Sequence, residues 1–301
     1  MQQLHRFFLI GFTGIILFSA CNSTPETANN STIETNKTER VIDTSKESAN
    51  IKQLFYAIPT PVALANFVEK TGAHYNKDIL NPIENVTEYH SEASKALNLG
   101  VYGADLCNAG VFDKLQEMMF FMKCVSKLSK ELGIEGCFNQ NIVQRMEENK
   151  NNRDSLLKII NTSFYNANTY LKTNDRASIS ALILSGAWIE SLHILTEATK
   201  SADNTEVVSR IAQLKPSLES LTTLLNLYKG KEGVDAVLGQ LQGLKELYKK
   251  VDLGTDKAAT TTDNLTNVST LEITQKITIK KELLEAIVKS AQVIHKNITR
   301  V

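Results

Sequence analysis

Downstream of Thr60, apolar side chains recur at every third or fourth position through one run after another, the period of a helix with one buried face. Thr60-Pro61 supplies an N-cap and a proline at the first helical position. Val62, Leu64, Ala65, Phe67 and Val68 follow and Gly72 offers a stop, which predicts a first helix over about 61–71. Residues 73–87, with Asn76, Asn81, Pro82 and Asn85, read as loop with a turn of helix at most. Further periodic runs cover 91–108, 112–132, 139–150, 153–172, 177–200, 205–229, 234–251 and 275–297, with Asn152, Asp175, Asn204 and Gly230 at joins. Pro216 should divide the 205–229 run after Leu214, because its ring clashes with the preceding turn. Such runs, joined by short connections, predict an all-α fold: an antiparallel helical bundle or stacked helical hairpins of about eight to ten helices.

Two stretches interrupt the pattern. Gly254 to Thr274 carries Thr260-Thr261-Thr262, Asn264, Asn267, Ser269 and Thr270 with little apolar content, and reads as a long loop, either a plain connection or a flap that meets a partner. Gly100 and Gly103 fall inside the 91–108 run, where each costs about 1 kcal/mol relative to Ala. Close approach of a neighbouring backbone is the expected reason for them.

Ahead of the helices the chain has a different character. Residues 1–20 comprise a short start with His5 and Arg6, the apolar run Phe7 to Phe18, and Ser19-Ala20 before Cys21, the pattern of a secretory signal. About 12 helical residues rise only about 18 Å, too little for a hydrocarbon core of about 30 Å. Leu17-Phe18-Ser19-Ala20-Cys21 resembles the lipobox of bacterial lipoproteins, which implies cleavage before Cys21 and a lipid on its thiol. From Asn22 to Asn50, 15 of 29 residues are Ser, Thr or Asn. That composition cannot offset the entropy of ordering, so residues 21–52 are expected to be a disordered tether reaching on the order of 30 Å from the membrane. Asn rather than Asp after Cys21 argues, by resemblance to lipoprotein sorting rules, for an outer membrane, on its periplasmic or surface face. The remainder, 53–301, reads as a single all-α domain. The 33 basic and 33 acidic residues leave no excess of positive charge to attract nucleic acid.

Candidate chemistry is sparse. Glu190, His193 and Glu197 are spaced three and four apart in the 177–200 run and share one helical face, as metal ligands must. A ferritin-like dinuclear centre needs a second Glu-x-x-His, which the mature histidines His74, His90 and His295 do not supply. Glu88, His90 and Glu92 alternate and would converge only on extended backbone. Cys107, Cys124 and Cys137 allow one disulfide in an exported protein, with Cys124–Cys137 the first choice, or three buried thiols. Their spacings lack the close pairs of zinc sites. Met118 to Met122 puts five large apolar residues in succession and reads as core helix or adaptable binding surface. No Gly-x-Ser-x-Gly elbow and no phosphate-binding glycine loop occurs, so no catalytic residue and no cofactor is expected.

Ile58-Pro59-Thr60-Pro61, Tyr75-Asn76-Lys77, Ala96 to Leu106 and Gly186-Ala187-Trp188-Ile189-Glu190 resemble signatures of all-helical lipoproteins of Bacteroidetes bacteria, over about residues 55–230. The resemblance implies a helical domain on a lipid anchor and no assigned activity. The expected function is a lipid-anchored helical binding or scaffold module of the cell envelope, with an envelope protein as candidate partner. The alternative is a metal-binding lipoprotein or metal-dependent enzyme using Glu190, His193 and Glu197.

Overall fold

The computed structural model describes residues 51–200, 205–254 and 279–300, and the backbone of residues 257–263 and 268–274. The signal segment 1–20, Cys21 and the expected tether up to residue 50 lie outside the described residues. Residues 51–56 are already helical, so ordered structure starts at residue 51 or before, ahead of the expected boundary at 53.

After the helical residues 51–56 come ten further α-helices in the described residues: α1 (Pro61–Lys70), α2 (Glu92–Val111), α3 (Leu115–Glu131), α4 (Gln140–Glu148), α5 (Arg153–Thr173), α6 (Ala177–Ala198), α7 (Thr205–Gln213), α8 (Lys215–Asn226), α9 (Val234–Lys249) and α10 (Lys281–Thr299). The fold is all-α, helix packed on helix. Thr60, Ser91, Asn139 and Asn152 each accept a backbone N–H of the first turn with the side chain, which is why α1, α2, α4 and α5 begin where the sequence marks them. Pro216 separates α7 from α8 at Leu214, as expected.

α6 is the centre of the body. It is long and apolar enough to cross a membrane, yet 94% of its most apolar window is buried inside the domain, which identifies a core helix packed on all sides. α2 lies directly against it at a distance that only glycine permits. A Cβ on Gly100 would stand 1.9 Å from the Ile183 carbonyl oxygen, and one on Gly186 would stand 1.9 Å from that of Leu97. Gly103 faces the Phe164 ring, whose nearest carbon would be 2.4 Å from an added Cβ. Gly100 is therefore a site of close backbone approach, as anticipated, whereas Gly103 makes room for a side-chain ring and not for a backbone. In α3, Met118, Phe121 and Met122 are buried while Met119 and Phe120 are half-buried, so the helix has one core face.

α10 is docked by its C-terminal carbonyls. Asn98 Nδ2 donates to Ile298 O at 2.8 Å and Tyr89 OH donates to Thr299 O at 3.2 Å, giving partners to acceptors that a helix end leaves open. Asn98→Ala should cost about 1–3 kcal/mol, since the Ile298 carbonyl stays buried and loses its donor; urea unfolding measures it.

The expected loop at 254–274 is corrected in part. Residues Lys257–Asp263 and Val268–Thr274 pair as an antiparallel hairpin, with Lys257 opposite Thr274 and Asp263 opposite Val268. Consecutive β-branched residues favour extended backbone even where little is apolar, and this propensity outweighed low hydrophobicity.

Candidate functional site

Near the middle of the body a polar group sits inside the apolar packing. Asp105 of α2 and Glu190 of α6 are fully buried, His193 of α6 is 6% exposed, and His295 of α10 stacks on it with ring centroids 4.0 Å apart. His295 Nδ1 is 2.5 Å from Glu190 Oε2, a separation that places one proton between them. Burial pushes Glu190 up to about 8, against the lowering effect of Asp105, and pushes His295 down to about 4, so this proton resides on the carboxyl side and the pair is neutral. Burial, followed by the adjoining Glu190 carboxyl, holds Asp105 well above the usual carboxylate range. Burial and then the His295 ring lower His193 to about 4.

Each residue is oriented from outside the group. The His193 Nε2–H donates to Ile79 O at 3.1 Å, which leaves the Nδ1 lone pair turned inward. Asn81 N–H donates to Asp105 Oδ2 at 3.3 Å. Within the cluster, the Asp105 and Glu190 carboxyls share a side-chain hydrogen bond, and His193 Nδ1 has no hydrogen-bond partner among the described residues. Two buried carboxyls beside an imidazole nitrogen with no donor are a costly arrangement for a purely structural core.

The sequence places Glu190 and His193 correctly on one face, but the third expected member is corrected. Glu197 turns away to accept from Gln292 Nε2 at 2.7 Å and to pair with Lys200 Nζ at 2.6 Å; His295 stands in its stead. Asp105 and His295 were missed because they reach the site from other helices. Asp105 nonetheless leaves a sequence signal, as the single charged side chain in the run Leu99 to Val111. A cleft of about 180 Å³ adjoins the cluster, lined by Ile79, Asn108 and Glu197 among others; Asn108 and Glu197 each stand about one turn beyond Asp105 and His193.

The remaining candidates do not assemble. Glu88, His90 and Glu92 are exposed around buried Tyr89, and Glu92 pairs with Arg176 at 2.6 Å. Cys107, Cys124 and Cys137 are all unbridged, so the Cys124–Cys137 expectation does not hold. Ser126, not Cys124, is the α3 residue that meets the 137–138 segment, through Phe138 O at 3.0 Å. Two positions back along the helix, Cys124 points about 200° away and its thiol donates to Ile83 O at 3.8 Å.

The largest cavity described, about 750 Å³, lies between residues 51–61, α2, α5 and α6. Phe55, Ile58, Phe164, Ile183 and Leu184 give it apolar walls, with Gly100 and Gly103 on the α2 side. Lys52 and Lys172 are its charged lining residues, and among the described residues no acid lines it. Lys172 Nζ stands 3.3 Å from the centre of the Phe55 ring. Burial, and then the neighbouring Lys52, lower this amine to about 8. Volume and apolar walls, with polar side chains such as Asn161, Asn168 and Ser180 set among them, are attributes of a small-molecule site.

No family model, curated protein or solved structure matches this chain.

Proposed function

We propose that this protein is a lipid-anchored binding module of the cell envelope, moored through Cys21. It holds an amphipathic anion of the long-chain carboxylate class in the cavity between residues 51–61, α2, α5 and α6. The observation that carries the ligand class is the pairing of apolar walls with Lys52 and Lys172 and no acid. An acyl chain gains from apolar burial at roughly 25 cal/mol per Å², and its carboxylate gains from Lys172, a cation already stripped of part of its water. The anchor is supported by Leu17 to Cys21 and by the Ser, Thr and Asn-rich stretch after it; Asn22 favours an outer membrane, and the resemblance to Bacteroidetes lipoproteins agrees with this. Because residues 51–61 form one wall, the cavity borders the tether, and a ligand drawn from the membrane has a short route to it.

Metabolic labelling with palmitate tests the anchor: native chain should label and Cys21→Ser should not, and equal labelling of both rejects it. For the ligand, a fluorescent polyene fatty acid should bind one to one and be displaced by laurate far better than by dodecanol. Lys172→Gln should weaken laurate about tenfold or more, as removal of a charged hydrogen-bond donor does. Below pH 8 the free protein carries a cationic Lys172. As pH rises through 8 that charge is lost and laurate affinity should fall, approaching tenfold per unit until the higher pKa of the occupied site is reached. Equal binding of laurate and dodecanol, or no saturable binding, overturns the assignment.

A further inference from the structure

We propose that Asp105, Glu190, His193 and His295 form a site for one divalent transition-metal ion, separate from the acyl cavity and independent of its assignment. Ligand atoms of Glu190, His193 and His295 lie within 4.8 Å of one another, and Asp105 abuts Glu190 from α2. The ion's direct call on the site comes from His193 Nδ1, whose lone pair accepts nothing from the protein, beside two fully buried carboxyls, Asp105 and Glu190, whose remaining oxygens have only each other across their shared hydrogen bond.

The surroundings match what a metal requires. A ligating imidazole is ordinarily fixed by donating its other N–H to a carbonyl, and His193 does this through Ile79 O at 3.1 Å. Asp105 is held through its second oxygen by Asn81 N–H and shares a hydrogen bond with Glu190. The cation nearest in the sequence of α6, Lys200, is paired with Glu197, outside the cluster. Two imidazoles with two carboxylates suit zinc, manganese or ferrous iron, and not calcium or magnesium, which take oxygen alone. Bonds of about 2.0–2.2 Å put tetrahedral ligand atoms roughly 3.3–3.6 Å apart, so side-chain movements of about 1 Å close Glu190, His193 and His295 on an ion, with Asp105 approaching from α2. The entering M²⁺ takes the place of two protons, the one between Glu190 and His295 and the one held on Asp105, and both leave to solvent. The neighbouring cleft lined by Ile79, Asn108 and Glu197 is the approach from outside.

Titration of the full chain in detergent with Co²⁺, read by its visible absorption, should give one equivalent bound, displaced by Zn²⁺. His193→Ala and His295→Ala should each weaken Co²⁺ by about 100-fold or more, beyond the 10–100-fold seen for supporting residues, with Asp105→Asn in or near that lower range. Glu197→Gln should stay within about threefold, because its carboxylate is engaged elsewhere. Circular dichroism checks the fold of each variant. If His295→Ala does not fold, His295→Gln, which keeps an N–H for Glu190, takes its place. Saturating Zn²⁺ should also raise the melting temperature of the native chain and not of folded His193→Ala. Folded native protein that takes up no cobalt, or uptake unchanged in both histidine variants, overturns the proposal.

Discussion

Gly186→Ala is expected to unfold the domain or to lower its stability by about 4 kcal/mol or more, the extreme end of single-substitution effects. The added methyl would stand 1.9 Å from the Leu97 carbonyl oxygen, 2.8 Å from its carbon and 3.1 Å from its Cα. These are backbone atoms of a helix, and no rotamer change moves them aside. α2 and α6 would have to part, opening the contact at Gly100 against Ile183 as well. The gain in helix propensity, up to about 1 kcal/mol, cannot compensate. Gly239→Ala in α9 supplies the contrast, since nothing lies within 4 Å of its added carbon. That variant should gain about 0.5–1 kcal/mol from propensity alone. Urea midpoints of the two variants should move in opposite directions.

With chelator present, the domain should lose stability as pH rises from about 6.5 to 8. Folded Glu190 keeps its proton up to about 8 and Asp105 is likewise raised, whereas in the unfolded chain both are ionised above about pH 4–5. The folded state thus binds more protons, and the slope is negative, about 1.4 kcal/mol per pH unit for each proton retained. His193 and His295 act in the opposite sense. Each is lowered from 6.5 to about 4, so between those values the unfolded chain binds protons that the folded one does not, and stability rises with pH. From about pH 4.5 to 6.5 the two pairs nearly cancel. Above 6.5 the histidines are neutral in both states and the carboxyl slope stands alone. Urea unfolding at pH 5.5, 7 and 8 measures it, and Asp105→Asn should remove one proton's share. A stability that is flat over pH 6.5–8 would show that both carboxyls ionise in the folded core.

Features that depend on neighbours in sequence were legible. Thr60, Ser91, Asn139 and Asn152 act at range three or less, and Pro216 acts on the turn before it, so this local chemistry located the starts of α1, α2, α4 and α5 and the break between α7 and α8. Gly100 and Gly103 were readable as close packing because a glycine in an apolar helix has few other reasons to be there. The hairpin was less so, because a segment so rich in Thr, Ser and Asn gives a weak apolar pattern and leaves propensity as the main sign. In the polar cluster, spacing joined Glu190 to His193 and, by the same logic, wrongly joined Glu197, one turn further on. His295 lies 105 positions from Glu190, and no periodicity within a helix spans that separation. What marks it is its place beside Ala291, Ile294 and Ile298, the buried residues of α10. Asp105 carries the same mark within α2, where almost every neighbour is buried. A polar residue on an apolar face is a stronger sign of a shared interior site than regular spacing along one helix.

The glycine contact between α2 and α6 also decides how the acyl cavity can admit a guest. Sliding or rolling either helix drives a Cα into a carbonyl oxygen, so the inner wall behaves as a fixed post. Any gate must therefore lie in the outer wall, where residues 51–61 pass over the cavity before α1 begins. If Cys21 carries the proposed anchor, tension arriving along the chain would pull first on residues 51–61, and loading and release would follow the position of the anchored end.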